Sequence, residues 1–144
     1  DLYAGIGIFG MCASHLVKEV IAIELSADSA YDAKVNSDRL KLANFRMIRS
    51  DVAKALQDKT LPQADVVIVD PPRTGLGPQA IEHITALNPS TIVYVSCNPK
   101  TQKIDVQELV KTGYKPVAIQ PIDQFPQTIH VENIVILSKA GVLS

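Results

Sequence analysis

The chain has 144 residues, 47% of them hydrophobic and 20% charged, with a formal net charge of −1. That length suits one globular domain with a real core. No apolar run nears the roughly 18–20 residues of a membrane span and no signal-peptide pattern opens the chain, so a cytoplasmic protein with no membrane partner is expected. The near-neutral charge argues mildly against this stretch gripping nucleic acid by its own surface.

Asp1-Leu2-Tyr3 runs straight into a glycine loop, with almost none of the strand such a loop normally follows. The chain therefore reads as one domain over residues 1–144, the C-terminal piece of a longer protein, with its first strand largely truncated. Residues 6–19 predict a helix, 20–24 a strand, and Ser26 the N-cap of a helix reaching about residue 40. Residues 45–49 read as a strand and 52–56 as a short helix. The continuous apolar run 64–69 predicts a parallel strand buried on both faces, stopped by Pro71-Pro72. A helix over 78–87 carries Pro at its first turn, residues 91–96 form a second buried strand, and a helix over 101–111 closes at Gly113. Two strands, 114–122 and 131–137, follow with no helix between them. Alternating β and α elements predict an open α/β sheet with helices on both faces and one antiparallel strand at the end. In such sheets ligands sit beyond the carboxyl ends of the strands.

Gly5-Ile6-Gly7-Ile8-Phe9-Gly10 matches GxGxxG, and Glu24 lies about 20 residues on, at a strand end. That pattern serves a dinucleotide, with its pyrophosphate on a helix N-terminus and its ribose on the acid. It serves S-adenosylmethionine equally, and Asp1 before the loop favours the latter, since an acid suits an ammonium group and repels a pyrophosphate. The loop alone leaves both open. Asp51 is placed either to meet an adenine amino group or simply to cap the next helix.

Asp70-Pro71-Pro72-Arg73 sets a carboxylate at a strand end with its backbone held by prolines. Methyltransferases of exocyclic amines carry a similar stretch ending in an aromatic, which Arg73 replaces here. Of the two cysteines, Cys12 reads as a small buried helix residue, and no CxxC or Cys/His cluster suggests a metal. Cys97, in Val95-Ser96-Cys97-Asn98-Pro99, leaves the sheet between polar neighbours. A thiolate adding to C6 of a uracil makes C5 nucleophilic toward a methyl donor. A base must then take the C5 proton. A thiol of ordinary pKa, about 8.5, is mostly protonated at neutral pH, so the site must assist it, with Arg73 one candidate. Glu132, a lone acid at a strand start, reads either as solvent-facing or as the base; His130 shares its side by alternation and the spacing does not choose. His15 and His83 read as surface residues on helices.

Taken together, Asp1-Leu2-Tyr3-Ala4-Gly5-Ile6-Gly7, Asp70-Pro71-Pro72-Arg73-Thr74-Gly75-Leu76, Ser96-Cys97-Asn98-Pro99 and Phe125-Pro126-Gln127-Thr128 with His130-Val131-Glu132 resemble the RNA uracil-5-methyltransferase family. The resemblance spans essentially the whole chain in order. It implies a class I S-adenosylmethionine-dependent methyltransferase fold, a Rossmann-like, seven-stranded, mostly parallel sheet. It implies Cys97 as nucleophile and Glu132 as proton acceptor. S-adenosylmethionine would contact Tyr3, Gly5, Gly7, Glu24, Asp51 and Asp70. The RNA, ribosomal or transfer, would be gripped mainly by family domains absent from this chain. Competing readings are another base methyltransferase, or a fragment of an NAD(P)- or FAD-binding oxidoreductase resting on the glycine loop alone. A 5-methylcytosine enzyme would typically carry a cysteine after Pro in the Asp70 region, which Pro71-Pro72 does not offer.

Overall fold

In the computed structural model, which describes residues 1–58 and 61–141, the chain forms two compact units, Asp1–Asp58 and Lys59–Ser144. In the first, β1 (Val20–Glu24) pairs in parallel with β2 (Phe45–Arg49), Val20 opposite Phe45 and Glu24 opposite Arg49. Leu2 adds a single parallel bridge to Ile23, all that stands of the strand expected before the glycine loop.

The helix predicted over residues 6–19 is shorter. It comprises α1 (Ile8–Ala13) and one 3-10 turn, Ser14–Leu16. The Ser14 hydroxyl donates back to the Met11 carbonyl at 2.7 Å. The Asn44 amide donates to the carbonyls of Ser14 and Val17, at 2.7 and 3.0 Å. Those carbonyls thus find partners outside a helix, which ends it. Cys12, expected to be buried, is exposed. Only Gly10 of α1 is buried, and two residues further on, at 100° each, the helix surface faces the other way.

The second helix, α2 (Ala27–Arg39), starts at Ser26, whose hydroxyl accepts from Ser29 N–H. Asp28 in its first turn and Arg39 in its last complement the helix dipole. Its buried residues, Ala30, Ala33 and Ser37, are small, which lets the helix lie close on β1 and β2. Asp51 caps α3 (Val52–Gln57).

The second unit holds a four-stranded sheet in the order β3-β4-β6-β5. Its strands are β3 (Val66–Val69), β4 (Thr91–Ser96), β5 (Tyr114–Ile122) and β6 (Glu132–Lys139). Strands β3 and β4 run parallel, and β6 runs antiparallel to both β4 and β5. One strand therefore opposes the other three, as the helix-free end of the sequence predicts. Burial of the 64–69 run is one-sided: Val67 and Val69 are buried, while Val66 is 46% exposed.

Among the described residues strand β5 pairs only with β6, and its Pro116 and Pro121, lacking N–H groups, suit an edge. Helices α4 (Gly77–Ala86) and α5 (Pro99–Lys111) supply Ile81, Ile84 and Leu109 to a core shared with Val69, Ile92, Tyr94 and Leu137. Burying each such side chain contributes roughly 1.5–3 kcal/mol. Helix α5 begins two residues before the predicted start, because Asn98 caps it and Pro99 occupies its first turn.

Candidate active site

The glycine loop of the first unit divides its labour. Tyr3, Gly5 and Gly7 all have left-handed backbones, with φ of 59°, 53° and 78°. A Cβ on Gly7 would stand 2.9 Å from Phe45 Cζ, and one on Gly10 2.8 Å from Val20 Cγ1, so these two glycines serve packing. A Cβ on Gly5 would meet nothing within 4 Å. Its bare surface faces open space. The Gly5 N–H donates to Glu24 Oε2 at 2.9 Å, and the Ser26 N–H to Glu24 Oε1 at 2.7 Å. Both oxygens are thereby fixed, and each keeps a lone pair for a further donor. Asp1 Oδ2 accepts from the Gly10 N–H at 2.8 Å, while its buried Oδ1 has no hydrogen-bond partner.

Asp51 does cap its helix, Oδ1 accepting from Lys54 N–H at 3.0 Å, and it also borders a surface hollow with Leu25, Arg49, Ser50 and Lys54. These groups suit a nucleoside with an amino-acid arm: two acceptors for ribose hydroxyls at Glu24, a cradle at Gly5, an unmet acceptor at Asp1. A base edge would fall beside Leu25 and Asp51.

In the second unit, three strand ends carry the candidate side chains. Asp70 follows β3, Cys97 follows β4, and Glu132 opens β6. The β4–β6 ladder ends at Ser96 opposite Asn133. Continued by one residue, its antiparallel register sets Cys97 against Glu132. Asp70 joins them electrostatically: burial first, and the Glu132 carboxylate second, push its carboxyl above the ordinary value of 3.8. Cys97 and Glu132 are half-buried, whereas His130 is exposed in the loop before β6. The register therefore places Glu132, at the start of β6, nearer to the end of β4 than His130, which lies in the loop before it.

The Ser-Cys-Asn-Pro turn is held by its own residues. Asn98 N–H donates to Ser96 Oγ at 3.0 Å, and Asn98 Oδ1 accepts from Lys100 N–H at 3.2 Å. Asn98 Nδ2 donates to the Arg73 carbonyl at 2.9 Å, and Thr101 Oγ1 donates to the same oxygen at 3.1 Å. Arg73 therefore enters the site through its backbone, tying the Asp-Pro-Pro-Arg turn to the cysteine turn.

Two polar residues of α5 that sequence reasoning passed over organise this end of the sheet. Asp105 is 5% exposed and Gln102 1%. Asp105 Oδ2 accepts from the Leu76 N–H at 2.8 Å and the Tyr94 hydroxyl at 2.6 Å, and Oδ1 from the Gly77 N–H at 3.3 Å. It thus holds the turn that follows Arg73. A Cβ on Gly75 would stand 2.5 Å from Asp105 Oδ2. The signal was available: residues 102, 105 and 109 share one helical stripe, and polar groups on a buried stripe need partners. Among the described residues no group of three or more His, Cys, Asp or Glu side chains is placed to hold a metal ion, and no helix is long and apolar enough to cross a membrane.

Residues 1–140 match the protein family described as tRNA (uracil-5-)-methyltransferase. An uncharacterized RNA methyltransferase of Protochlamydia amoebophila is 48% identical over 142 residues, which is 96% of this chain and 32% of that protein. One from Nanoarchaeum equitans is 44% identical over 140 residues, 97% of this chain and 30% of that protein. The chain thus spans about a third of the length of these relatives. Among solved structures, the tRNA (uracil-54, C5)-methyltransferase of Pyrococcus abyssi, in complex with S-adenosyl-L-homocysteine, superposes with a TM-score of 0.82 at 31% identity. The match covers 95% of this chain and 33% of that one. Precorrin-6y C5,15-methyltransferase from Geobacter metallireducens, at 20% identity over 97% of this chain and 78% of its own, shares the fold with a TM-score of 0.79. The fold is that of the class I S-adenosylmethionine-dependent methyltransferases.

Proposed function

The chain belongs to the tRNA (uracil-5-)-methyltransferase family, and on that premise we propose that it is the catalytic domain of a longer enzyme that methylates carbon 5 of a uridine in RNA. The observation that supports this reading is the end of the β4–β6 ladder at Ser96 opposite Asn133, one residue short of a thiol on one strand and a carboxylate on the other. Uracil C5 methylation needs such a pair, a nucleophile and a base, within reach of one ring. An amine methyltransferase has no use for either.

S-adenosylmethionine, when bound, supplies an electrophilic methyl group. Glu24 would hold its ribose hydroxyls, Gly5 would let its backbone-facing edge approach on a loop that Gly7 packs against Phe45, and Tyr3 would border it. Asp51 would meet the adenine and Asp70 the reacting end. Cys97 Sγ adds to uracil C6, and the displaced π electrons make C5 nucleophilic. After methyl transfer to C5, Glu132 takes the C5 proton. The electron pair of that C–H bond restores the C5–C6 double bond and expels the Cys97 thiolate. The RNA, ribosomal or transfer, would be gripped largely by other parts of the longer protein, because phosphate contacts dominate affinity and this chain is near neutral.

The test is incubation of the longer protein with S-adenosylmethionine and RNA containing 5-fluorouridine, whose fluorine cannot leave as a proton. A covalent adduct mapped to Cys97 is expected. Methyl transfer to normal RNA with no such adduct would overturn the mechanism. Calorimetry that found tighter binding of NAD than of S-adenosylmethionine would overturn the cofactor assignment.

A further inference from the structure

Gln102 lies on α5, 1% exposed, with every one of its donors engaged. Its Nε2 donates to the Tyr94 carbonyl of β4 at 2.9 Å and to the Asn133 carbonyl of β6 at 3.1 Å. Its Oε1 accepts from Asn133 Nδ2 at 2.6 Å. One side chain therefore ties two neighbouring strands together at the last pair of their ladder, Ser96 opposite Asn133. On the far side of β6, Asn133 faces Pro121, which has no N–H to give. The Gln102 amide supplies a donor to the Asn133 carbonyl instead. Glu132 and Cys97 lie one residue beyond this tie, on either strand.

We propose that Gln102, through Asn133, is a positioning residue that sets the Glu132 carboxylate against the uracil ring held on Cys97. This rests on the uracil-5-methylation reading above and names a requirement that reading lacks. Proton removal needs the carboxylate oxygen at hydrogen-bond distance from C5–H, and no ladder pair beyond Ser96 opposite Asn133 fixes the spacing of β4 and β6. On its other flank Glu132 pairs with Ile122 of the edge strand β5, all of whose residues after Tyr114 are exposed. The buried amide is the firmer of the two anchors. A hydrophobic residue of similar size would fill the space but leave two carbonyls and the Asn133 amide without this partner.

The step in question breaks the C5–H bond, moves that proton to Glu132, and uses its electron pair to re-form C5–C6 and release Cys97. Tritium released from RNA carrying 5-tritiated uridine reads this step, and single-turnover methyl incorporation reads the one before it. In the longer protein, Gln102→Leu is expected to slow tritium release about tenfold relative to methyl incorporation, so that methylated covalent adduct accumulates, with S-adenosylmethionine affinity by calorimetry unchanged. Asn133→Ala, which leaves the Gln102 bonds to both carbonyls intact, is expected to shift the same ratio by about twofold to fivefold. This variant decides the question if Gln102→Leu fails to fold. A ratio equal to wild type in the folded variants, whether or not total activity falls, would mean a structural role only and overturn the proposal. Wild-type protein that makes no 5-methyluridine would instead fail the underlying reading, an outcome seen before any variant is compared.

Discussion

The two units build their candidate sites from different materials. The first presents mainly backbone: Gly5 and Ser26 amides fix Glu24, the Gly10 amide holds Asp1, and a missing Cβ at Gly5 leaves open space. The second presents side chains, Asp70, Cys97 and Glu132, at the ends of β3, β4 and β6, steadied by the side chains of Asn98, Gln102 and Asp105. A backbone-made site recognises shape and donor pattern, and its weak points are the positions where a Cβ would intrude. On the proposed reading Cys97 and Glu132 carry the reactivity, so single substitutions at these two should abolish chemistry while leaving cofactor binding alone.

The largest expected effect breaks or sharpens that division directly. Cys97→Ala should lower methyl transfer by about 10⁴-fold or more, because no other group replaces the nucleophile. Its affinity for S-adenosylmethionine, measured by calorimetry, should stay within about twofold of wild type. Equal loss of both would erase the distinction between the units. Next is Glu132→Gln, expected to cost about 10²–10⁴-fold in turnover while a single round of methylation survives. A protein–RNA adduct resistant to denaturation should build up, and its absence with normal turnover would move the base elsewhere.

In the first unit the expected effect is on stability. Gly10→Ala gains up to about 1 kcal/mol of helix preference. It also places a methyl 2.8 Å from Val20 Cγ1 and 3.0 Å from Asp1 Oδ2. Overpacking costs about 1–3 kcal/mol and Val20 is a stiff β-branched neighbour, so net destabilisation of roughly 1–2 kcal/mol is expected by urea unfolding. A stabilised variant would show that α1 is free to shift off β1.

How much of this was legible in the sequence follows the same division. Glycine spacing and β-branched runs predicted nearly every element, because they report local backbone demands. The helix over 6–19 failed because its end is set by Asn44, far along the chain, and Cys12 went with it. Cys97 was singled out by its chemistry and its strand end, and the structure keeps it half-buried just past β4, as the proposed role requires. Spacing alone did not choose between Glu132 and His130, since alternation puts both on one side; the family resemblance implied Glu132, and in the structure Glu132 is half-buried at the start of β6 while His130 is exposed. Gln102 and Asp105 escaped because part of their work is done across 28 or more residues of sequence, at Leu76, Gly77 and Asn133. Only the anomaly of polar groups on a buried stripe hinted at it.

The smallest expected effect comes from charge alone, and it asks what the side-chain site costs the fold. Asp70 is raised above 3.8 by burial and then by Glu132. Between that ordinary value and its raised one, the folded protein holds a proton the unfolded chain has released. The folded state binds more protons there, so stability falls as pH rises. The contribution of this group is fully present below 3.8 and is lost as pH climbs through the folded value. Asp70→Asn removes the ionisation and keeps the shape. The variant should therefore be more stable than wild type at neutral pH, with the gap closing as pH falls toward about 4, in urea unfolding at both pH values. S-adenosylmethionine binding should weaken in the same variant if Asp70 meets the reacting end of the cofactor. Greater stability together with weaker binding would mean that this carboxylate is kept at the strand end for its chemistry, against the preference of the fold. A variant less stable by the same margin at both pH values would mean that Asp70 is structural, and that the contrast between the two units stops at Cys97 and Glu132.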